Sequence, residues 1–298
     1  MNQLPGIVCL AQVAASRPAA ADMPITELQA TLLVVGALAL LGWIAARLVR
    51  PREFWLECTP GRPNRLNILH VGILFLVFHV SLVLAARAVA AWMGVTLELG
   101  TQPPMTVTLP AMPIGQCIMI VGSLAVASMT MGHGIRQGLG LSLRRPLLDA
   151  LRGAAAFLCA LPICYLALAI TTGLLPERLR NIHPILDFLP TVRQSPGWLM
   201  LIVLSTCVLA PLAEELFFRG LLQSLFRRYW GRPWLAILPA SALFALAHAG
   251  QYQDMPALFL LGIVLGYNYE RTGRLTGPII AHALFNGLTI SSLLRALG

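Results

Sequence analysis

Residues 197–219 read GWLMLIVLSTCVLAPLAEELFFR, an apolar segment that ends in two adjacent glutamates, two phenylalanines and an arginine. A bilayer core of about 30 Å is crossed by roughly 20 helical residues, so the segment has the length of a membrane span. Glu214 and Glu215 lie deep within it, where an ionisable side chain is costly unless it faces a polar interior. The stretch therefore predicts a transmembrane helix that contributes to a polar site.

The rest of the chain is also apolar. Of its 298 residues, 57% are hydrophobic and 11% are charged, and the mean hydropathy is +0.77. Soluble domains carry roughly 25% charged residues, so this composition excludes an ordinary water-facing surface. Apolar segments recur at 28–49, 67–92, 113–132, 153–175, 197–218, 233–250, 256–270 and 276–294. We predict an all-α, polytopic membrane protein with about eight transmembrane helices in a lipid bilayer.

The basic residues follow the pattern of a membrane topology. The net charge is +9, and all 21 basic residues are arginines, most of them in short clusters between the apolar segments. Cytoplasmic loops beside membrane helices carry such an excess of positive charge. Binding of nucleic acid would need a basic face on a soluble domain. We therefore predict no nucleic-acid partner.

The chain divides into regions of different polarity. Residues 1–25 are predicted as an extramembrane N-terminal tail, and residues 26–175 as a transmembrane region of about four helices with few polar side chains. Residues 176–196 contain several prolines and are predicted as an interfacial segment. Residues 197–290 carry a dense set of ionisable groups within apolar segments. The last four helices are therefore the expected location of any chemistry.

The two glutamates of the opening segment have different expected surroundings. Adjacent helical residues point about 100° apart, so the carboxylates of Glu214 and Glu215 face different directions. Glu215 and Arg219 are four residues apart and can pair on one face of the helix. Glu214 is left on another face, where a carboxylate in an apolar surrounding suits the role of a general base.

Two further helices carry polar groups at comparable depths. His248 follows Phe244 by four residues, and Asn286 follows His282 by four residues, which places the last two side chains on one helix face. Counted at 1.5 Å per residue from the nearest basic end, Glu214 lies ~20 Å, His248 ~24 Å, His282 ~12 Å and Asn286 ~18 Å into the membrane. These groups are therefore predicted to meet.

The three patterns together resemble a known family. Glu-Glu-x-x-x-Arg at 214–219, Phe-x-x-x-His at 244–248 and His-x-x-x-Asn at 282–286 follow one another on successive apolar segments. In this order they resemble the CAAX-protease/bacteriocin-processing family of intramembrane proteases. The stretch YERTGRLTGPIIAH at 269–282 is similar too. The resemblance covers roughly residues 197–290, about a third of the chain.

The resemblance implies an all-helical endopeptidase that hydrolyses a peptide bond in a membrane-associated or lipidated substrate, with prenylated proteins among the candidates. It implies that Glu214 and His248 activate a water molecule, and that His282 and Asn286 stabilise the oxyanion. Glu215 and Arg219 would support this site structurally. The expected location is the inner or plasma membrane of a bacterium.

The cofactor and the function class each have alternatives. Glu214, His248 and His282 would also suit a zinc site with an open fourth position, and a metal-free mechanism is equally compatible with these residues. An ion-coupled transporter would use Glu214, Glu215 and Arg219 as coupling residues. A non-catalytic immunity or scaffold protein of the same family is the third class. Because every motif position is filled, the protease is favoured.

Overall fold

The structure, a computed structural model, describes residues 26–57, 59–98, 100–141, 144–176 and 184–296. Within these ranges the chain is helical and contains no β-strand. The predicted N-terminal tail, residues 1–25, lies outside the described residues. The prediction of an all-α membrane protein is confirmed.

Eleven helices follow one another in the described part of the chain. They are α1 (Glu27–Val49), α2 (Pro51–Phe54), α3 (Ile68–Met93), α4 (Met105–Thr130), α5 (Gly134–Gly138), α6 (Pro146–Leu174), α7 (Pro184–Val192), α8 (Pro196–Trp230), α9 (Pro233–Leu246), α10 (Met255–Thr272) and α11 (Thr276–Ala296). Helix α7 lies in the segment 176–196 that was predicted to be interfacial, and residues 177–183 of that segment lie outside the described residues.

Within the described ranges, six helices are long and apolar enough to cross a bilayer: α1, α3, α4, α6, α8 and α11. The two remaining predicted spans are helices as well, but α9 has only 14 residues and α10 has 18, with Glu270 and Arg271 in its last turn. A full crossing takes about 20 helical residues. The count of about eight spans therefore stays a prediction.

Local sequence signals explain where the helices begin and end. The Asn67 side chain caps α3 by accepting from the His70 backbone N–H, while the His70 ring accepts from the Asn67 N–H. Helix α3 ends at Gly94 in the left-handed conformation, with φ of 69°. Helix α8 begins at Pro196. A proline in the first turn costs no hydrogen bond, because the N–H groups there have no partner within the helix. These signals set both ends of α3 and the start of α8. Helices α4, α6 and α8 run beyond the apolar segments seen in the sequence.

Helix α8 runs for 35 residues and holds the opening motif of the sequence. Two stretches of it are π-helical, Leu204–Leu209 and Glu215–Gln223. Pro211 follows the first of them, and proline removes a backbone hydrogen bond and crowds the preceding turn. A wider turn at this position relieves that crowding. The helix therefore stays continuous through the proline.

The core of the C-terminal region lies where α10 packs against α8 and α9. Gly262 and Gly266, a Gly-x-x-x-Gly pair on α10, face Ser241 of α9 and Gln223 of α8. A Cβ atom on Gly262 would lie 2.9 Å from the Cβ atom of Ser241, closer than van der Waals contact allows. The absence of a side chain therefore brings α9 and α10 together, as small residues do at helix contacts within membranes.

We predict that Gly262→Ala destabilises the protein by about 1–3 kcal/mol, because the added methyl group has to displace the α9 backbone at Ser241. Thermal unfolding of the purified protein in detergent measures this effect. Gly287→Ala on α11 is the matched control, since nothing lies within 4 Å of a Cβ atom there. Equal unfolding temperatures for the two variants would contradict the packing described for Gly262.

Candidate active site

A cavity of about 840 Å³ lies inside the helical bundle. Its walls come mainly from α3, α4, α6, α8 and α11, and the turn 247–254 between α9 and α10 closes one side. Most of its lining is apolar. Glu214, His248, His282 and Asn286 all line it, so the four side chains predicted to meet lie around one cavity.

A buried ion pair lies beside this cavity. Arg219 Nη1 donates to Glu215 Oε1 at 2.6 Å, and both side chains are almost completely buried. This is the pair expected from the spacing of the two residues. The Arg219 guanidinium also donates to the Gly262 carbonyl on α10 at 3.4 Å. The pair therefore compensates its own charges and ties α8 to α10.

The same carboxylate holds His282. Nδ1 of His282 lies 2.9 Å from Glu215 Oε1, and an ionised carboxylate only accepts hydrogen bonds, so Nδ1 carries a proton. The other ring nitrogen, Nε2, lies 3.7 Å from Glu214 Oε2. The imidazole therefore lies between the two adjacent glutamates and is hydrogen-bonded to Glu215. Sequence spacing did not reveal this contact.

The two glutamates differ in exposure as well as in partners. The Glu215 side chain is completely buried, whereas the Glu214 side chain is 28% exposed and lines the cavity. This difference follows from their directions on the helix, since adjacent positions point about 100° apart. Glu214 is therefore the carboxylate that a molecule inside the cavity would meet.

Phe244 is the apolar residue at the centre of the polar cluster, which consists of Glu214, Glu215, Arg219, His248, His282 and Asn286. Its side chain is fully buried, and the Arg219 guanidinium lies 4.5 Å above its ring centroid. The rings of His248 and His282 pack edge-on against it at 5.1 and 5.7 Å. An aromatic face stabilises a nearby cation, and its edges fix the orientation of neighbouring rings. The phenylalanine of the Phe-x-x-x-His pattern therefore positions three polar side chains.

His248 lies just after α9, which ends at Leu246. Its Nδ1 lies 2.9 Å from the Phe244 carbonyl oxygen. A carbonyl only accepts, so Nδ1 carries the proton and a neutral ring has its lone pair on Nε2. The histidine therefore presents a basic nitrogen in a defined tautomer at the cavity.

Asn286 is held by the distorted part of α8. Its Nδ2 donates to the Thr206 carbonyl at 2.9 Å. The Ala210 N–H bonds to Ser205 O, five residues back, and in this register the next donor would be Pro211, which has no N–H. The Thr206 carbonyl is therefore open to a side chain from α11. One N–H of the Asn286 amide remains for another acceptor.

The proposed zinc ligands match zinc in type but not in arrangement. Imidazole nitrogen and carboxylate oxygen are common zinc ligands, and both histidines have their Nδ1 atoms engaged in the manner of metal-binding histidines. However, among the residues that the structure describes, no three His, Cys, Asp or Glu side chains lie close enough to hold one metal ion. The arrangement of Glu214, His248 and His282 therefore does not fit a three-ligand site.

Several cavity residues carry no sequence signal. His79 on α3, Gln116 on α4 and Asp254 before α10 all line the cavity. None has a partner at an informative spacing, because each enters the site from a different segment of the chain. Burial raises the pKa of the Asp254 carboxyl to about 6, and the nearby His248 offsets part of this rise. The cavity therefore holds a second carboxyl group beside Glu214.

Comparison with known proteins confirms the family resemblance for the C-terminal region. Residues 196–288 match the family model of the Rce1-like type II CAAX prenyl endopeptidases. This range contains all three sequence patterns and every side chain of the polar cluster. It covers less than a third of the chain, so the match describes this region and leaves the N-terminal helices unassigned.

Curated relatives match over the same part of the chain. An uncharacterised 24.3 kDa protein of Escherichia coli is 40% identical over 87 residues, which are 28% of this chain and 40% of the relative. The membrane-embedded CAAX protease MroQ of Staphylococcus aureus is 35% identical over 88 residues, 28% of this chain and 35% of that protein. The UPF0177 protein YaiF of Lactococcus lactis is 37% identical over 81 residues, 27% of this chain and 35% of that protein. The matches thus span two fifths of these relatives or less, and no solved structure matches the chain.

We predict that Arg219→Met destabilises the fold by about 3–5 kcal/mol, because it leaves the Glu215 carboxylate buried without its cation. The double variant Glu215→Gln/Arg219→Met should be more stable than the single one. Thermal unfolding in detergent measures both. Arg232→Met, at an exposed arginine, is the control and should change little. An unfolding temperature of the Arg219 variant equal to that of the control would contradict the buried pair.

Asp254 lies outside the membrane-crossing helices. Its raised pKa predicts that the stability of the protein depends on pH. Its pKa rises on folding from 3.8 to about 6, so its contribution is complete below pH ~4 and is lost as the pH rises through 6. Asp254→Asn, which stays neutral, should therefore gain stability relative to wild type between pH 4 and 7. The expected change is on the order of 2 kcal/mol. If the unfolding temperatures of wild type and Asp254→Asn changed with pH in the same way, the raised pKa of Asp254 would be refuted.

Proposed function

We propose that this chain is an intramembrane endopeptidase that hydrolyses a peptide bond in a membrane-associated protein. The family match of residues 196–288 supports an intramembrane protease at the level of the family. The observation that carries the proposal for this chain is the convergence of Glu214, His248, His282 and Asn286 on one cavity among apolar helices. An isolated charge network that only fixes helix packing would not need a cavity.

Glu214 is the proposed general base. Its carboxylate takes a proton from a water molecule in the cavity, and the water oxygen forms a bond to the carbonyl carbon of the peptide. His248 assists by accepting a hydrogen bond at Nε2, because its Nδ1 proton is already donated to the Phe244 carbonyl. Collapse of the tetrahedral intermediate breaks the C–N bond, and the proton on Glu214 passes to the leaving amine.

Asn286 and His282 are the proposed donors to the oxyanion. Asn286 uses one N–H for the Thr206 carbonyl, which fixes the amide plane and directs the second N–H elsewhere. His282 already donates from Nδ1 to Glu215, so it must carry a second proton to donate from Nε2. With that proton the cluster of Glu214, Glu215, Arg219 and His282 is electrically neutral.

A metal-dependent mechanism makes a different prediction for the same residues. Zinc at Glu214, His248 and His282 would polarise the peptide carbonyl and supply an activated water. The described arrangement requires side-chain movement before these three groups can share an ion. We propose the metal-free mechanism, and a chelator tests it: activity that survives chelation supports it, whereas loss of activity that zinc restores overturns it.

The proposed substrates are proteins in or on the cytoplasmic membrane of a bacterium. The matched relatives come from Escherichia coli, Staphylococcus aureus and Lactococcus lactis, all of them bacteria. A cavity of about 840 Å³ accommodates a short extended peptide rather than a folded domain. The largely apolar walls are compatible with a lipidated substrate, and prenylated proteins are one such class.

We predict that Glu214→Gln lowers the cleavage rate by about 10²–10⁴-fold, because the amide cannot accept the proton from water. The assay compares membranes from cells with the wild-type protein, with no protein and with the variant, by quantitative mapping of new peptide ends. Cleavage products that depend on the wild-type protein should disappear in the variant. Prenylated and unprenylated forms of one such product sequence, presented in nanodiscs, then define the lipid requirement.

Glu57→Gln is the matched control for this substitution, since Glu57 is an exposed carboxylate that does not line the cavity. The control should cleave as wild type does, and both variants should unfold at the wild-type temperature. Cleavage that persists in the folded Glu214→Gln protein would overturn the assignment of the general base. Absence of any product that depends on the wild-type protein would favour the immunity or scaffold class.

A further inference from the structure

A second, smaller cavity lies at the arginine-rich end of the bundle. It measures about 290 Å³ and shares no lining residue with the candidate active site. Its walls are Arg136, Gln137, Gly140, Arg144, Gly273 and Arg274. Three separate segments contribute a guanidinium each: α5, the residue before the α6 N-cap, and the turn between α10 and α11. Among the residues that the structure describes, no acidic side chain is part of its lining.

One of the three arginines of this cavity is paired with a buried carboxylate. Arg274 donates from Nε to Asp149 Oδ1 at 2.5 Å and from Nη2 to Asp149 Oδ2, and this carboxylate is nearly fully buried. Asp149 therefore fixes the guanidinium of Arg274 at the cavity. Arg136 has neither a hydrogen bond nor an ion pair within the described ranges, and its side chain is exposed. An anion in the cavity would balance the charge of Arg136.

The backbone gives this cavity a fixed shape. Gly140 has φ of +70°, and a Cβ atom there would lie 2.0 Å from the Gly273 carbonyl oxygen. The two loops can approach so closely only because position 140 has no side chain. Leu139 and Leu275, which flank them, are fully buried in the core around α8. The arginines are therefore anchored to the core on both sides of the cavity.

Exposed apolar side chains follow Arg144 along α6. Leu147 and Leu151 on α6 are 72% and 58% exposed, and they lie one and two turns beyond Arg144. A soluble anion would leave this apolar surface uncovered, whereas the acyl chains of a lipid would cover it. Basic pockets between membrane helices on the cytoplasmic side are known to bind lipid head groups.

We propose that this cavity binds the phosphate head group of an anionic phospholipid, with the acyl chains lying along α6. Arg136 and Arg144 contact the phosphate at the open side, and Arg274, held by Asp149, forms the inner wall. The Gln137 amide is placed to bond a head-group hydroxyl. This site is separate from the proposed proteolysis, and its test does not depend on enzymatic activity.

The experiment uses the full chain, purified in a neutral detergent, and follows its unfolding temperature as lipid is added. Phosphatidylglycerol and phosphatidylcholine with identical acyl chains are the two probes. Phosphatidylglycerol should raise the unfolding temperature in a saturable manner, and phosphatidylcholine should not. Because each basic group near an anionic lipid contributes substantially, Arg136→Gln/Arg144→Gln should weaken the apparent affinity by about tenfold or more.

Arg52→Gln/Arg232→Gln is the control pair, since it lowers the net charge equally at exposed arginines outside this cavity. The control should bind phosphatidylglycerol as wild type does. An equal response of both double variants would overturn the site, and so would equal stabilisation by the two lipids. Equal stabilisation by inorganic phosphate at the same concentration would overturn the lipid assignment. The single variant Arg136→Gln provides the test if the double variant does not fold.

Discussion

The contact between Glu215 and Arg219 inside an apolar bundle is the interaction on which the C-terminal region depends. An unpaired charge at this position would be prohibitively costly, so the two groups have to stay together. Each then reaches a second helix, since the carboxylate accepts from His282 on α11 and the guanidinium donates to the Gly262 carbonyl on α10. The pair thereby fixes the positions of α10 and α11 around α8.

A constraint on the backbone of α8 positions Asn286, which the Glu215–Arg219 pair does not contact. Within a membrane every carbonyl and N–H needs a partner, and Pro211 leaves the Thr206 carbonyl without one from its own helix. Asn286 fills this gap, and the same contact orients its amide toward the cavity. The π-helical turn accommodates Pro211, and the carbonyl that it leaves open is the one that Asn286 binds. A distortion of α8 becomes a positioning device for α11.

The sequence predicted those features that local geometry determines. Apolar length identified the six long helices, and the four-residue spacing identified the Glu215–Arg219 pair. The convergence of Glu214, His248, His282 and Asn286 followed from counting depth along three segments. The contact of His282 with Glu215, the open Thr206 carbonyl, and the entry of His79 and Asp254 into the cavity depend on how separate helices pack, and no spacing within one helix encodes that. The crossings predicted for α9 and α10 stay predictions, because both helices are shorter than a full span.

The central claim is that polar groups from α8, the α9–α10 turn and α11 share one water-accessible cavity within the membrane. Labelling with a water-soluble methanethiosulfonate reagent tests it most directly, with single cysteines introduced into a cysteine-free version of the chain. Asn286→Cys should be modified rapidly, whereas Leu284→Cys, on the exposed apolar face of the same helix, should react far more slowly. If the two positions reacted at the same rate, or if only Leu284→Cys reacted, the cavity and the site built around it would be contradicted.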